Sequence, residues 1–226
     1  MSSSIYDKLL ELPLFRGATR ERMSEIVGSC RFDFVKYSAG ETIISKGDAC
    51  KDLGFVLSGS VRATLTQDGN PYALHQTFKE NAVIAPEYMF GRLTVYPLAI
   101  AAIDDVSMLR IPKNDFTKIL NSDSVFLFNF VNMVCMLAQK NFDGIVSVTS
   151  GNPVQALAYW AYIATFSSSY DIVYECPPEM LSHTMGVSEE ETMRILNDLK
   201  TDGIIDYNLS EVKIIDRNRL LKFMRI

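Results

Sequence analysis

The chain has 226 residues, 48% of them hydrophobic and 22% charged, with a formal net charge of −5 at pH 7. That length admits one large domain or two small ones, the apolar share supplies a substantial core, and the charge is ordinary for a soluble protein. A membrane span is excluded because no run approaches about 18 apolar residues. The opening MSSSIYDKLLELPLF lacks the cationic start, apolar block and cleavage site of a secretory signal. Cysteines at positions 30, 50, 135 and 176 form no Cys-x-x-Cys pair, which argues against a zinc site or disulfide framework. The expectation is a cytoplasmic protein with reduced thiols and no membrane partner.

Residues 4 to 28 read as a short helix, an interruption at Pro13–Leu14–Phe15 and a second amphipathic piece, TRERMSEIVGSC. Met23, Ile26 and Val27 lie on one face of that piece. Short strands follow from about Phe32 to Ile111. Gly40, Gly47, Gly59 and Gly69 punctuate them every 7 to 12 residues, between runs rich in apolar or β-branched residues. Glycine turns a chain at positive φ without steric cost, and this spacing predicts an antiparallel sandwich or barrel. Gln67-Asp68-Gly69-Asn70 is the clearest hairpin turn.

After Pro112 the texture is helical to Ser150. Leu127, Val131, Val134, Ala138, Asn141, Ile145 and Val148 are spaced 4, 3, 4, 3, 4, 3. That is a heptad seam, which buries a stripe against a partner helix, and one polar member such as Asn141 can fix its register. The seam predicts a homodimer. The other apolar residues, Phe126, Phe128, Phe130, Met133 and Leu137, are expected on a second face, against the strands.

Ser150-Gly151-Asn152-Pro153 marks a boundary, with Asn152 placed to cap the helix that Pro153 opens. PVQALAYWAYIATF is helical, and Ser167-Ser168-Ser169 ends it. Pro178 to Thr184 reads as a short helix, Met185-Gly186-Val187 as a tight turn and Ser188 as the N-cap of a longer helix. Glu191, three residues on, completes a capping box. Ile195, Leu196 and Leu199 form its buried stripe and Gly203 ends it. Ile204–Tyr207 and Val212–Ile215 then alternate around Asn208-Leu209-Ser210 as a two-stranded wing. Helix, glycine turn, capped helix and wing make a winged helix-turn-helix.

An aromatic at Tyr37, Gly40-Glu41, Lys46-Gly47-Asp48 and FVLSGSV at 55–61 resemble the effector domain of the cyclic-AMP receptor and fumarate–nitrate regulator (Crp/Fnr) family. MGVSEEETMRILNDLKTDGII, at 185–205, resembles that family's turn and recognition helix. The resemblance runs over about residues 10 to 220. It implies an α+β chain: an N-terminal β-roll (a double-stranded β-helix like that of cyclic nucleotide-binding domains) at 1–120, a dimerisation helix at 121–150 and a winged helix-turn-helix DNA-binding domain at 151–226. Carried over, Ser188, Glu190 and Arg194 become the phosphate- and base-facing positions. Arg194 suits a guanine edge and Glu190 a cytosine amine.

The departures narrow the effector. Where the family's cyclic-nucleotide receptors read F-G-E-x-x-L and then Arg-Ser or Arg-Thr, this chain reads VIAPEYMFGRLTVYPLAIAAIDD. Ala85-Pro86 replaces the glycine whose neighbourhood presents amides to a phosphate, and proline has no amide to offer. Pro97-Leu98-Ala99 stands where the arginine would be, and Leu137-Ala138 replaces a polar pair on the central helix. Cyclic AMP is therefore disfavoured. An effector, if one acts, is expected in an apolar or aromatic setting near Tyr88, Met89, Phe90 and Leu137, with Arg92 the nearest cation. An iron–sulfur cluster lacks its cysteines, and haem would have only His75 or His183. No constellation of catalytic residues is present, so an enzyme is not expected.

Charge weighs against easy DNA binding. From Gly151 onward there are seven Lys and Arg against eleven Asp and Glu, whereas phosphate neutralisation dominates affinity for DNA. Glu189, Glu190 and Glu191 head the recognition helix, where carboxylates also complement the helix dipole. Lys213, Arg217 and Arg219, with Lys200 and Arg194, are the candidate basic patch. The expected function is a homodimeric transcription regulator that binds an inverted-repeat operator in double-stranded DNA, with RNA polymerase as a further partner. The alternative is a dimeric sensor or constitutive regulator acting through protein contacts.

Overall fold

The computed structural model describes residues 5–147, 151–166 and 168–224, with the side chains of 141–147 outside the description. In chain order it runs α1 (Ile5–Glu11), a 3-10 turn (Pro13–Phe15), α2 (Arg20–Ser29), β1 (Asp33–Tyr37), β2 (Thr42–Ile44), β3 (Asp52–Ser58), β4 (Val61–Thr66), β5 (Ala73–Phe78), β6 (Val83–Ile84), a 3-10 turn (Pro86–Tyr88), β7 (Leu98–Ala102) and β8 (Val106–Pro112). Then follow α3 (Lys113–Ser122), α4 (Ser124–Ser147), α5 (Pro153–Ala164), β9 (Tyr170–Glu175), a 3-10 turn (Pro178–Leu181), α6 (Ser182–Met185), α7 (Glu189–Thr201), β10 (Ile205–Tyr207), β11 (Val212–Ile214) and α8 (Arg217–Leu221). Among the described residues no single helix is long and apolar enough to cross a membrane.

Two compact units emerge. The first holds Met1–Arg62 and Phe78–Leu137, and the second holds Ala63–Thr77 and Ala138–Ile226. The hairpin predicted around Gly69 thus groups with the C-terminal segment. Its turn closes as expected, Asn70 N–H donating to the Gln67 carbonyl at 3.0 Å.

In the first unit, antiparallel strands run in the order β1-β8-β3-β6, and β2 pairs with β7. The alternating strands deliver Leu53, Phe55, Leu98, Ile100, Leu109 and Ile111 to one core. Gly59 is required at the β3–β4 turn, since a Cβ there would collide with the carbonyl oxygen of Asp105. The opening helices behave as read: Met23 and Ile26 of α2 are buried, and Phe15 of the 3-10 turn stacks on Phe32 and meets Phe126 edge-on at 5.6 Å.

Helix α4 is the predicted long helix, and its first turns dock on that core. Phe126 and Phe130 are buried, and Asn129 donates to the carbonyls of Leu14 and Arg16, both at 2.9 Å. Phe128 departs from expectation, being 63% exposed. Two residues along a helix turn the side chain by about 200°, so Phe128 cannot share a face with Phe126 and Phe130. Met133 and Leu137 are half-buried.

The second unit is a small helical layer on a sheet. Strands run β10-β11-β9-β5-β4, and Leu157, Ala158, Ile172, Leu181, Ile195, Leu196, Leu199, Ile214 and Leu220 form its core. Asn152 caps α5 as predicted, its side chain accepting from Val154 N–H and Gln155 N–H. Strand β9 has no counterpart in the sequence reading, which placed two strands in the wing. Ile172↔Ile214 and Val173↔Lys213 register it against β11, and His75↔Val173 against β5. His75 is a strand residue, held between Thr64 Oγ1 at 3.0 Å and Glu175 Oε1 at 3.1 Å.

Candidate functional site

Helices α6 and α7 are joined by Gly186, in the left-handed conformation with φ 68°. An L side chain rarely adopts this conformation, so the angle between the helices depends on a glycine there. Ser188 then caps α7, its Oγ accepting from Glu191 N–H at 3.2 Å. The return half of the predicted capping box is not formed. Glu191 instead turns along the helix to Arg194, which donates from Nε at 2.9 Å and from Nη2 at 2.7 Å. A bidentate charged pair outcompetes one bond to a solvent-accessible amide.

Thr192, Ile195, Leu196 and Leu199 anchor α7 to the unit's core. The opposite stripe is exposed: Glu190, Arg194, Asn197, Asp198 and Thr201 follow at helical spacing, and Glu189 stands beside them. Arg194 also reaches Asp198 Oδ2 at 3.5 Å. Asn197 was overlooked in the sequence, although it lies three residues after Arg194 on the same face. It is positioned by the Tyr207 hydroxyl of the hairpin, which donates to its Oδ1 at 2.6 Å.

The other candidate cations are likewise engaged. Lys200 pairs with Asp206 at 2.7 Å and lies 4.7 Å from the centre of the Tyr207 ring. Lys213 is 3.9 Å from Asp171, and Arg219 donates to the Asp202 carbonyl at 2.8 Å. Arg217 is half-buried and donates from Nε to Thr165 Oγ1 at 2.8 Å. Burial lowers its pKa from the usual arginine range. It therefore stands apart from the exposed stripe of α7. The hairpin tip exposes Leu209 at 94%.

On α4, Leu127 and Val131 are exposed, Val134 is half-buried and Ala138 is exposed. The side chains of Asn141 and Ile145, and all of Val148, lie outside the described residues.

The region expected to hold an effector is closely packed. Ala85 is left-handed (φ 44°, ψ 51°) and buried, opening the 3-10 turn at Pro86. The amides of Tyr88 and Met89 are engaged within that turn, with the carbonyls of Ala85 at 3.1 Å and Pro86 at 3.2 Å. Met89 is fully buried, and the Cys50 thiol donates to its sulfur at 3.5 Å. Phe90 stacks on Phe116 at 5.9 Å and meets Phe130 edge-on at 5.9 Å, beneath the Lys113 ammonium. Tyr88 is half-buried, which raises its phenol pKa, and Leu137 is also half-buried. Arg92 is exposed. Leu98 is buried in β7. Among the described residues no group of three or more His, Cys, Asp or Glu side chains could hold a metal ion.

Residues 34–123 match the family model of the cyclic nucleotide-binding domain. No curated protein sequence matches the chain. Among solved structures, the catabolite activator protein of Thermus thermophilus is 17% identical, with a TM-score of 0.52 covering 93% of this chain and 97% of that one. The sensor domain of the transcriptional regulator DNR from Pseudomonas aeruginosa is 18% identical (TM-score 0.51), covering 60% of this chain and 89% of that one. A transcriptional regulator from Thermotoga maritima is 19% identical (TM-score 0.50), covering 57% of this chain and 98% of that one. At these identities the likeness is one of fold, and it is the α+β fold read from the sequence.

Proposed function

We propose that this chain, whose N-terminal part is of the cyclic nucleotide-binding kind and whose fold is that of a catabolite activator protein, is a cytoplasmic transcription regulator of the Crp/Fnr type. It acts by binding, as a homodimer, to double-stranded DNA carrying an inverted repeat. The supporting observation is an exposed helix, α7, set by a left-handed glycine and a serine cap and followed by a β-hairpin. This is the arrangement of a winged helix-turn-helix, in which the second helix enters the major groove. Arg194 and Asn197 are the base-reading candidates on its outer stripe. Lys213 and Arg219 are the phosphate-facing candidates, and RNA polymerase is the natural second partner of the bound dimer.

Dimerisation is assigned to α4. Leu127 at 43% and Val131 at 42% exposure are large apolar side chains that a monomer leaves in water. A partner helix would cover them along the heptad seam.

The interior of the β-roll is read as packed core and not as a cyclic-nucleotide pocket. The amides of Tyr88 and Met89 are engaged within the turn, Pro86 has none to offer, Leu98 is buried and apolar, and Met89 is fully buried. An anion there would lack the charge-assisted partners that contribute about 1.5–3 kcal/mol each.

A second reading is favoured by one observation. Glu189 and Glu190 are exposed on α7, while its arginine is already paired with acid. In that reading α7 docks on a basic protein surface. Capture of genomic fragments by the purified protein at two salt concentrations separates the two. Enrichment of fragments sharing an inverted repeat supports DNA reading, and no retention of fragments at either salt supports the protein partner.

A further inference from the structure

The first unit carries a groove of about 330 Å³ on the outside of the β1-β8-β3 sheet, walled by α1. Its origin is a register shift. Val35, Met108 and Val56 form one rung across the three strands, and Lys36, Ser107 and Ser58 form the next. Leu57 lies between those rungs as an extra residue in β3, a β-bulge. Bulges re-aim side chains, and at this one the largely buried Leu57 borders the groove. Ile5 and Lys8, three residues apart on one face of α1, close the other side. Phe34, 50% exposed, flanks the apolar floor.

The polar groups have a single sign. Lys8 and Lys36 line the groove together with the two serine hydroxyls of the polar rung, and none of the lining residues is acidic, in a chain of net charge −5. The volume lies within the range of small-molecule sites, about 300–1,000 Å³. Two ammonium groups beside exposed aliphatic and aromatic side chains, Ile5 and Phe34, match one kind of occupant, a carboxylate with a hydrocarbon tail. We infer that this groove is a binding site for a medium- or long-chain carboxylate, its head group between Lys8 and Lys36 and its tail along the exposed Ile5 and Phe34 and the edge of Leu57. The site is independent of what α7 binds.

Calorimetric titration of the full chain with decanoate, kept below its micelle concentration, tests the assignment. One decanoate should bind per chain, octanoate more weakly by roughly fourfold per methylene removed (the equivalent of about 0.8 kcal/mol), and acetate not measurably. Lys8→Gln with Lys36→Gln should weaken decanoate at least tenfold and leave decanol unchanged. Both lysines are exposed, so the double variant should keep the parent's circular dichroism. Phe34→Ala should weaken decanoate and decanol alike. The assignment is overturned if decanol binds the parent as tightly as decanoate does, if acetate competes equally, or if the lysine variant binds decanoate like the parent.

Discussion

Arg194 and Glu191 close a two-point ion pair one turn apart on the exposed face of α7, at 2.9 and 2.7 Å. The hydrogen bond is the largest cause of both pKa shifts, holding Glu191 below the usual carboxylate range and raising Arg194 above the usual arginine range. Both groups stay charged across the physiological range, so the arginine proposed to read a base is held by a neighbour of its own helix. Exposed pairs of this kind contribute little because solvent screens them, so release at a DNA surface is cheap. Glu191→Gln should therefore tighten binding to the operator by no more than about fivefold. Arg194→Ala should cost about 1–3 kcal/mol per half-site and relax preference at one position. Anisotropy titrations against a set of single-base operator variants read both effects, and an Arg194→Ala protein with parental affinity and preference would remove Arg194 from that role.

The proposed dimer would rest on the seam of α4. Val134→Glu with Ala138→Glu would place four like charges in one apolar seam, two from each chain. Sedimentation equilibrium should then report a monomer with the helical content of the parent. A variant that stays dimeric would refute the seam and move the interface to another surface.

Cyclic AMP and cyclic GMP should show no calorimetric binding tighter than millimolar. The amides of Tyr88 and Met89 are engaged within the 3-10 turn, and Leu98 is buried and apolar, offering no cation. Micromolar binding would mean that the buried Met89 moves aside for a ligand, and Arg92, exposed nearby, would be the first residue to replace.

The thiols divide by burial. Cys176 is buried, with its pKa pushed up to about 12, and burial also raises that of Cys50, whereas Cys135 is exposed. Iodoacetamide at mildly alkaline pH should label Cys135 in the folded protein and spare Cys50 and Cys176, as peptide mass spectrometry would record. The sign for stability follows from linkage. Between the ordinary thiol value and about 12 the unfolded chain loses the Cys176 proton first, so this group lowers stability as pH rises through that window. Urea midpoints that rise over the same window would contradict the assignment.

Much of this organisation was legible because it is written locally. Asn152 and Ser188 cap helices where their residue types prefer to stand, Gly186 is left-handed, and Gln67–Asn70 turns. What was not legible depends on distant partners. Strand β9 follows Ser167-Ser168-Ser169 without clear alternation, and only β5 and β11 on either side make it a strand. Phe128 looked like its neighbours in an aromatic cluster, yet helical phase turns it outward. The return bond of the capping box lost to Arg194, a competition that spacing alone does not rank. The bulge at Leu57 leaves no mark in composition, and the groove it opens was invisible in the sequence. At the candidate site the exposed stripe of α7 was readable from helical period, while the partner of each cation was not.

The central claim is that α7 presents itself to DNA, and the affinity of the purified protein for duplex DNA across a salt series tests it most directly, with parent and Glu189→Gln measured side by side. Each phosphate contact should add about −0.9 to the slope of log affinity against log salt, and removing the exposed carboxylate should strengthen non-specific binding. The account predicts a linear fall with salt for the parent and a uniformly tighter Glu189→Gln protein. A parent with no salt-sensitive affinity for any duplex, matched by an unchanged Glu189→Gln, would contradict it and leave α7 to a protein partner.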